Sequence, residues 1–142
     1  MSIATVLHHK GNAVIAVRPD TPARDAAQLL AGHGIGVLLV TDGAGRVLGL
    51  LSEADIVRAV AVRPRGVAGL DAAALMVRDP LTIGPEASIP AAIDLIAESD
   101  QRHLPVVDGA GALIGVLGLR DLVQHRHAAN GGRLAAPRAS MH

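Results

Sequence analysis

Two seven-residue stretches carry the side chains on which chemistry could be built: Gly49-Leu50-Leu51-Ser52-Glu53-Ala54-Asp55 and Gly115-Val116-Leu117-Gly118-Leu119-Arg120-Asp121. Each leads from an apolar run into a helical pattern. One reading is local. Ser52 at a helix N-cap and Asp55 three residues on form a capping box, each satisfying an N–H group of the other. The other reading is a ligand. A helix start offers free N–H groups and a positive dipole end, which suit phosphate, and a carboxylate one turn in can accept hydrogen bonds from two vicinal ribose hydroxyls. The second stretch favours the ligand, because Gly118 has no side chain to cap with and Asp121 is nevertheless kept.

The remaining candidates are weaker. Seven histidines invite a metal reading, with His8-His9 and His125-x-His127 as the close pairs. An i,i+2 spacing does not put two ligands on one helical face, and a metal needs a third and fourth ligand, so no metal site is expected. His103 reads as a phosphate or hydrogen-bonding residue, or as a polar residue opening a strand. Ser52 has no base beyond Asp55, which the cap occupies. The glycine pairs at 43/45 and 109/111 lack the full phosphate-loop pattern. No catalytic residue is expected, and the chain reads as a binder rather than an enzyme.

The elements that must hold these residues come from an internal repeat. Shifting the chain by 66 residues lays 14–57 on 80–123 without a gap, with 14 identities in 44 pairs. Pro19 meets Pro85, Asp-Gly-Ala-Gly at 42–45 meets the same run at 108–111, and Asp55 meets Asp121. Each copy reads as β-α-β-β-α. Extended pieces lie at 13–17 and 81–83. Helices follow with apolar spacing at Ala26, Leu29 and Leu30, and at Ala92, Leu95 and Ile96. Thr21-Pro22 reads as N-cap and first helical residue, and Ser88 as the other cap. Strands at 37–41 and 104–107 turn through the Asp-Gly hairpins into strands at 47–51 and 113–117. Helices at 53–62 and 119–126 close the copies. The fold class is α+β, two tandem motifs related by a pseudo-twofold. Residues 1–62 make the first motif with an N-terminal segment, 63–70 a Pro/Gly linker and 71–126 the second motif. Short helices are expected at 71–77 and at 2–7, each leading into its own copy. Residues 127–142 read as a disordered tail.

Composition narrows the function classes. The chain has 142 residues, 13 Lys+Arg against 13 Asp+Glu, no Cys and no aromatic side chain. Zero net charge argues against a nucleic-acid or anionic-lipid footprint. Absent aromatics exclude base-stacking platforms, and absent cysteine excludes thiolate and disulfide chemistry. The apolar runs at 35–40 and 47–51 are too short to span a bilayer, and no leader pattern opens the chain. A cytoplasmic location is expected. Twelve Arg to one Lys, with abundant Ala and Gly, points to a GC-rich bacterial genome.

The pattern of apolar strand, Asp-Gly turn, Gly-x-x-Ser-x-x-Asp (with Gly118 in place of Ser in the second copy) and apolar helix, present twice, resembles the CBS-domain pair, named after cystathionine beta-synthase. The stretches that carry it are 34–42, 51–57, 79–83 and 102–108, and it covers roughly 2–126. It is most similar to small stand-alone bacterial proteins made of one pair. The resemblance implies two clefts holding adenosyl ligands such as AMP, ADP, ATP, S-adenosylmethionine or NAD(H). It implies a disc-like homodimer formed through helices, and regulation of a separate protein partner. Carried over by position, the second copy would place Leu81 and Thr82 beside the base, with Leu104 and Pro105 on the adjoining strand. Arg102, His103 and Arg120 would face the phosphates, Gly118 would open the helix and Asp121 would hold the ribose. The first copy would use Ile15, Ala16, Gly36, Val37, Ser52 and Asp55. Departures lie at Ala16 and Gly118, where hydroxyl residues are usual, and at Ala54, where relatives often carry Arg. The first copy also lacks a basic pair matching Arg102-His103, so the second ranks first as the anion-binding cleft. The alternative is a ligand-independent dimeric scaffold whose Asp residues are caps.

Overall fold

A computed structural model describes residues 2–11 and 14–129. Its elements run α1 (Ile3–Lys10), β1 (Ala16–Val17), α2 (Ala23–His33), β2 (Val37–Thr41), β3 (Val47–Ser52), α3 (Glu53–Val62), α4 (Ala72–Leu75), β4 (Val77–Arg78), α5 (Ile89–Ala97), β5 (His103–Val107), β6 (Leu113–Gly118) and α6 (Leu119–Ala129). One sheet has the order β1-β2-β3-β4, with β1 parallel to β2 and the other pairs antiparallel. The other pairs β5 with β6. The expected α+β duplication is therefore present.

The central strands are apolar on both faces because each face has its own cover. On β2, Leu38 and Val40 point into the first motif's core with Val17, Ala26, Leu30 and Leu51. The alternate residues Val37 and Leu39 join Leu50, Leu113 and Val116 between the two sheets. The period-two geometry of a strand puts these two sets on opposite sides. The second motif's core gathers Ile89, Ala92, Ile96, Leu104, Val106, Leu117 and Leu122.

The short helices depart from the expected assignment. Helix α1 docks on the second motif, not the first. The N–H groups of Ile3 and Ala4 donate to the carbonyls of Ala87 and Pro85 at 2.9 and 2.8 Å, and Ile3, Val6 and Leu7 lie in the second core. Helix α4 does the reverse. Ala72 and Ala73 donate to Thr21 and Pro19 at 2.8 and 2.9 Å, and Ala72 is buried in the first core. Burying an aliphatic side chain of this size is worth about 1.5–3 kcal/mol, so α1 is held firmly by its three anchors.

Other boundaries moved for local reasons. The Thr21 hydroxyl accepts from the Arg18 N–H at 3.1 Å, so α2 starts one residue late with Pro22 at its N-cap. Ser88 caps α5 as expected, accepting from Ala91 at 3.1 Å. The extended piece at 81–83 reduces to one bridge, Ile83 with Val106. Val77, expected to end a helix, instead opens β4, which pairs with β3. Helix α6 runs to Ala129 instead of ending at 126, and the rest of the expected tail lies outside the described residues. In both hairpins the Asp carboxylate accepts two backbone N–H groups, Ala44 and Arg46 for Asp42 and Ala110 and Ala112 for Asp108. Positive φ falls on the second glycine of each run, Gly45 and Gly111.

Candidate functional site

The chain crossing that exchanges α1 and α4 also builds the site. Where β2 and β3 meet the start of α3, a cleft of about 660 Å3 forms around Ser52 and Asp55, with Gly36 and Val37 beside them. Its other wall is from the second motif: Leu81, Arg102 and His103. A second cleft of about 760 Å3 surrounds Gly118, Arg120 and Asp121 at the start of α6, and its opposite wall is Ile15, Gly36 and Val37. Both volumes lie within the range of small-molecule sites, roughly 300–1,000 Å3.

The sequence grouping by copy is therefore corrected. Leu81 and Arg102 belong with Asp55, and Ile15 belongs with Asp121, because each extended segment reaches across the pseudo-twofold. His103, Gly36 and Val37 border both clefts. Four expected residues do not line either one. Leu104 is fully buried in the second core, since it alternates inward from His103 on β5. The Pro105 side chain is also fully buried. Thr82 and Ala16 are exposed outside both clefts.

The two carboxylates are held differently. Asp55 Oδ2 accepts from the Ser52 N–H at 2.8 Å and the Ser52 hydroxyl at 3.0 Å, while the Asp55 N–H donates back to that hydroxyl at 3.2 Å. This is a complete capping box. Arg58, one turn on, occupies Asp55 Oδ1 at 3.2 Å. Asp121 Oδ2 accepts from the Gly118 N–H at 2.8 Å, so half of the box survives without a side chain at position 118. The inference that Asp121 had lost a capping role is thus corrected: glycine removes one of the two reciprocal bonds and leaves the other. Among the described residues, no donor occupies Asp121 Oδ1.

Lys10 was missed by sequence reasoning. Its ammonium sits 3.1 Å from Asp121 Oδ2 and donates to the Val116 carbonyl at 2.9 Å. Only the docking of α1 on the second motif brings it there, and no local pattern around Lys10 signals that. Glu53 was missed too. Its carboxylate borders both clefts, and a Cβ at Gly36 would meet its Oε1 at 3.5 Å. Gln101 clamps the Leu81 segment: its amide accepts from the Leu81 N–H at 2.9 Å and donates to the Leu81 carbonyl at 2.7 Å and the His103 carbonyl at 3.0 Å.

His103 lies over the start of α6, where a Cβ at position 118 would meet its ring at 3.3 Å. Glycine is what lets the ring approach. Burial pushes the imidazole below its ordinary value and the Lys10 charge pushes the same way; Asp121 opposes them and Arg102 adds a smaller lowering. The shift favours the neutral, hydrogen-bonding form of the ring over the cation. His125 and His9 stack edge-on with ring centres 5.5 Å apart, and His125 Nδ1 lies 2.9 Å from the Asp121 carbonyl. Among the described residues no group of three or more His, Cys, Asp or Glu is placed to hold a metal, and no helix is long and apolar enough to cross a membrane.

Comparison with known proteins agrees with this architecture. The family model described as CBS domain matches residues 11–62 and 72–128. The crystal structure of a CBS-domain-containing protein from Agrobacterium tumefaciens matches with TM-score 0.82 at 29% identity, covering 89% of this chain and 99% of that one. CBSX2 from Arabidopsis thaliana matches at 0.70 and 29%, covering 86% and 90%. The fold is also shared with the CBS domain pair of MJ0100 in complex with 5'-methylthioadenosine and S-adenosyl-L-methionine, at 0.80 and 19% identity, covering 91% and 98%. CBSX2 has been crystallised with AMP. Among curated sequences, an uncharacterized 17.7 kDa protein of Acidianus ambivalens is 30% identical over 113 residues, 78% of this chain and 66% of that protein. Inosine-5'-monophosphate dehydrogenase of Korarchaeum cryptofilum is 32% identical over 109 residues, 77% of this chain and 21% of the enzyme. The chain spans about two thirds of the first and a fifth of the second, and the relatives are archaeal and plant as well as bacterial.

Proposed function

The chain belongs to the CBS-domain family, as a pair of such motifs, and from that premise we propose that it is a regulatory module that binds an adenosyl ligand in the Asp121 cleft and passes the signal to a separate protein. The observation that carries this reading is Asp121 Oδ1, which no donor among the described residues occupies. It lies at a helix start, in a cleft walled by Ile15, Val37 and Val116 and supplied with cations by Lys10 and Arg120. The apolar wall suits adenine, the carboxylate suits the ribose hydroxyls, and the helix start with its cations suits phosphate. Hydrogen bonds to a charged carboxylate contribute about 1.5–3 kcal/mol each, so two of them with one or two phosphate contacts give roughly micromolar affinity. AMP, ADP and ATP are the first choices, with NAD(H) and S-adenosylmethionine after them. The ligand-bound CBS pairs of CBSX2 and MJ0100 support the ligand class.

The module catalyses nothing itself and acts in the cytoplasm, where these ligands are. It works as a homodimer, paired through the exposed valines of α3 (Val57, Val60 and Val62) and through Leu119 and Val123 of α6. Ligand binding shifts the angle of the pair by its differential affinity for two states.

The test is a thermal-shift panel of AMP, ADP, ATP, NADH and S-adenosylmethionine, read with an extrinsic dye because the chain has no Trp or Tyr. A ligand at ~100 times its Kd adds about 2.7 kcal/mol to the folded state, several degrees at this size. A second reading, the ligand-independent scaffold, is favoured by Asp55, whose two oxygens are both satisfied internally. No shift with any ligand would favour it over the adenosyl reading.

A further inference from the structure

We propose that Lys10 makes the Asp121 cleft selective for phosphorylated adenosyl ligands over the uncharged nucleoside. The inference rests on the adenosyl reading and deepens it. An ammonium has three N–H donors. In Lys10 one is engaged by the Val116 carbonyl at 2.9 Å, and the charge pairs with Asp121 Oδ2 at 3.1 Å, which among the described residues leaves a donor for a ligand. Asp121 keeps Oδ1 free, so a ribose can bind without displacing the lysine. The cation therefore stands beside the ribose site from the outset. The Lys10 side chain is 28% exposed, and partial withdrawal from water strengthens a cation's attraction for an anion.

Charge balance points the same way. Of the residues lining this cleft, Lys10 and Arg120 are opposed by Glu53 and Asp121. Without Lys10 the carboxylates prevail and a phosphate meets net repulsion. In the other cleft the matching place is taken by β4, with Val77 paired to Leu50, the repeat counterpart of Val116; of its two lining arginines, Arg58 is spent on Asp55 Oδ1 and Arg102 stands on the opposite wall. Lys10 is also fixed in place, because Ile3, Val6 and Leu7 bury α1 in the second core.

Calorimetry on the full chain with AMP and with adenosine tests this, comparing wild type with Lys10→Met and Lys10→Arg. Lys10→Met is expected to weaken AMP by about tenfold or more, the worth of one charge-assisted hydrogen bond. It should leave adenosine within about twofold, under half a kcal/mol. Lys10→Arg is expected to keep the preference for AMP. Equal losses for both ligands would overturn the proposal by making Lys10 a structural support. Tighter AMP binding by Lys10→Met would overturn it by making Lys10 a plug. A wild type that binds AMP and adenosine equally would overturn it and leave the adenosyl reading standing. A wild type that binds neither would overturn both.

Discussion

Asp55 and Asp121 occupy the same repeat position, and replacing each by alanine should produce opposite orders in stability and in binding. Asp55→Ala removes acceptors for the Ser52 N–H, the Ser52 hydroxyl and Arg58. The side chain is only 9% exposed. Losing a complete cap costs about 1–2 kcal/mol, and the exposed Arg58 contact adds at most about 1 kcal/mol, so a loss of about 2–3 kcal/mol is expected. Asp121→Ala removes one backbone acceptor and a quarter-exposed ion pair to Lys10, about 1–2 kcal/mol on the same scales. Alanine's better helix propensity offsets both alike. At this chain length each kcal/mol moves the midpoint by about 3–6 °C. Binding reverses the order. Asp121 has an oxygen to give and Asp55 has none, so Asp121→Ala should weaken AMP by about tenfold or more, while Asp55→Ala changes it little. Chemical denaturation followed by far-ultraviolet circular dichroism gives the stabilities, and calorimetry gives the affinities. If Asp55→Ala abolishes AMP binding while Asp121→Ala retains it, the reasoning from free carboxylate oxygens is wrong.

Three further outcomes follow from specific contacts. Gly49→Ala should destabilise the fold by about 1–3 kcal/mol, because its Cβ would lie 2.8 Å from the rigid Val77 carbonyl and 2.5 Å from Met76 Sδ; Gly115→Ala meets only the movable end of Leu7 at 2.8 Å and should cost less in the same denaturation assay. His103 is pushed below its ordinary value of 6.5 by burial first and Lys10 second. The unfolded chain then binds this proton at a pH where the folded chain does not. Its contribution to stability is complete above pH 6.5 and is lost as pH falls from there towards the folded value; His103→Asn should flatten that slope in denaturation curves taken across the window. Val57→Asp with Val60→Asp, both on the exposed apolar face of α3, should halve the mass measured by light scattering, and an unchanged mass would refute the dimer surface.

Much of the molecule was legible because its determinants are local. The 66-residue repeat, the apolar periods and the Asp-Gly turns fix the strand–turn–strand units, and helix α3 falls at 53–62 as its capping residues indicate. The capping box at Ser52 and Asp55 is a contact between near neighbours, so sequence spacing alone determines it. The residue types that line the clefts, Asp121, Arg120, His103 and Arg102 among them, were also visible. Their partners were not. Which motif α1 covers is decided by where Ile3, Val6 and Leu7 find an apolar surface to bury, and that surface is built from residues 80 or more positions away. Lys10 reaches Asp121 through that choice, and Leu81 crosses to Asp55 through the same pseudo-twofold. Leu104 and Pro105 turn inward because β5 is covered on both faces, which the strand's own pattern does not reveal. Sequence determines contacts that close within a few residues; contacts that close across the chain depend on which apolar faces bury each other, and only the tertiary structure decides that.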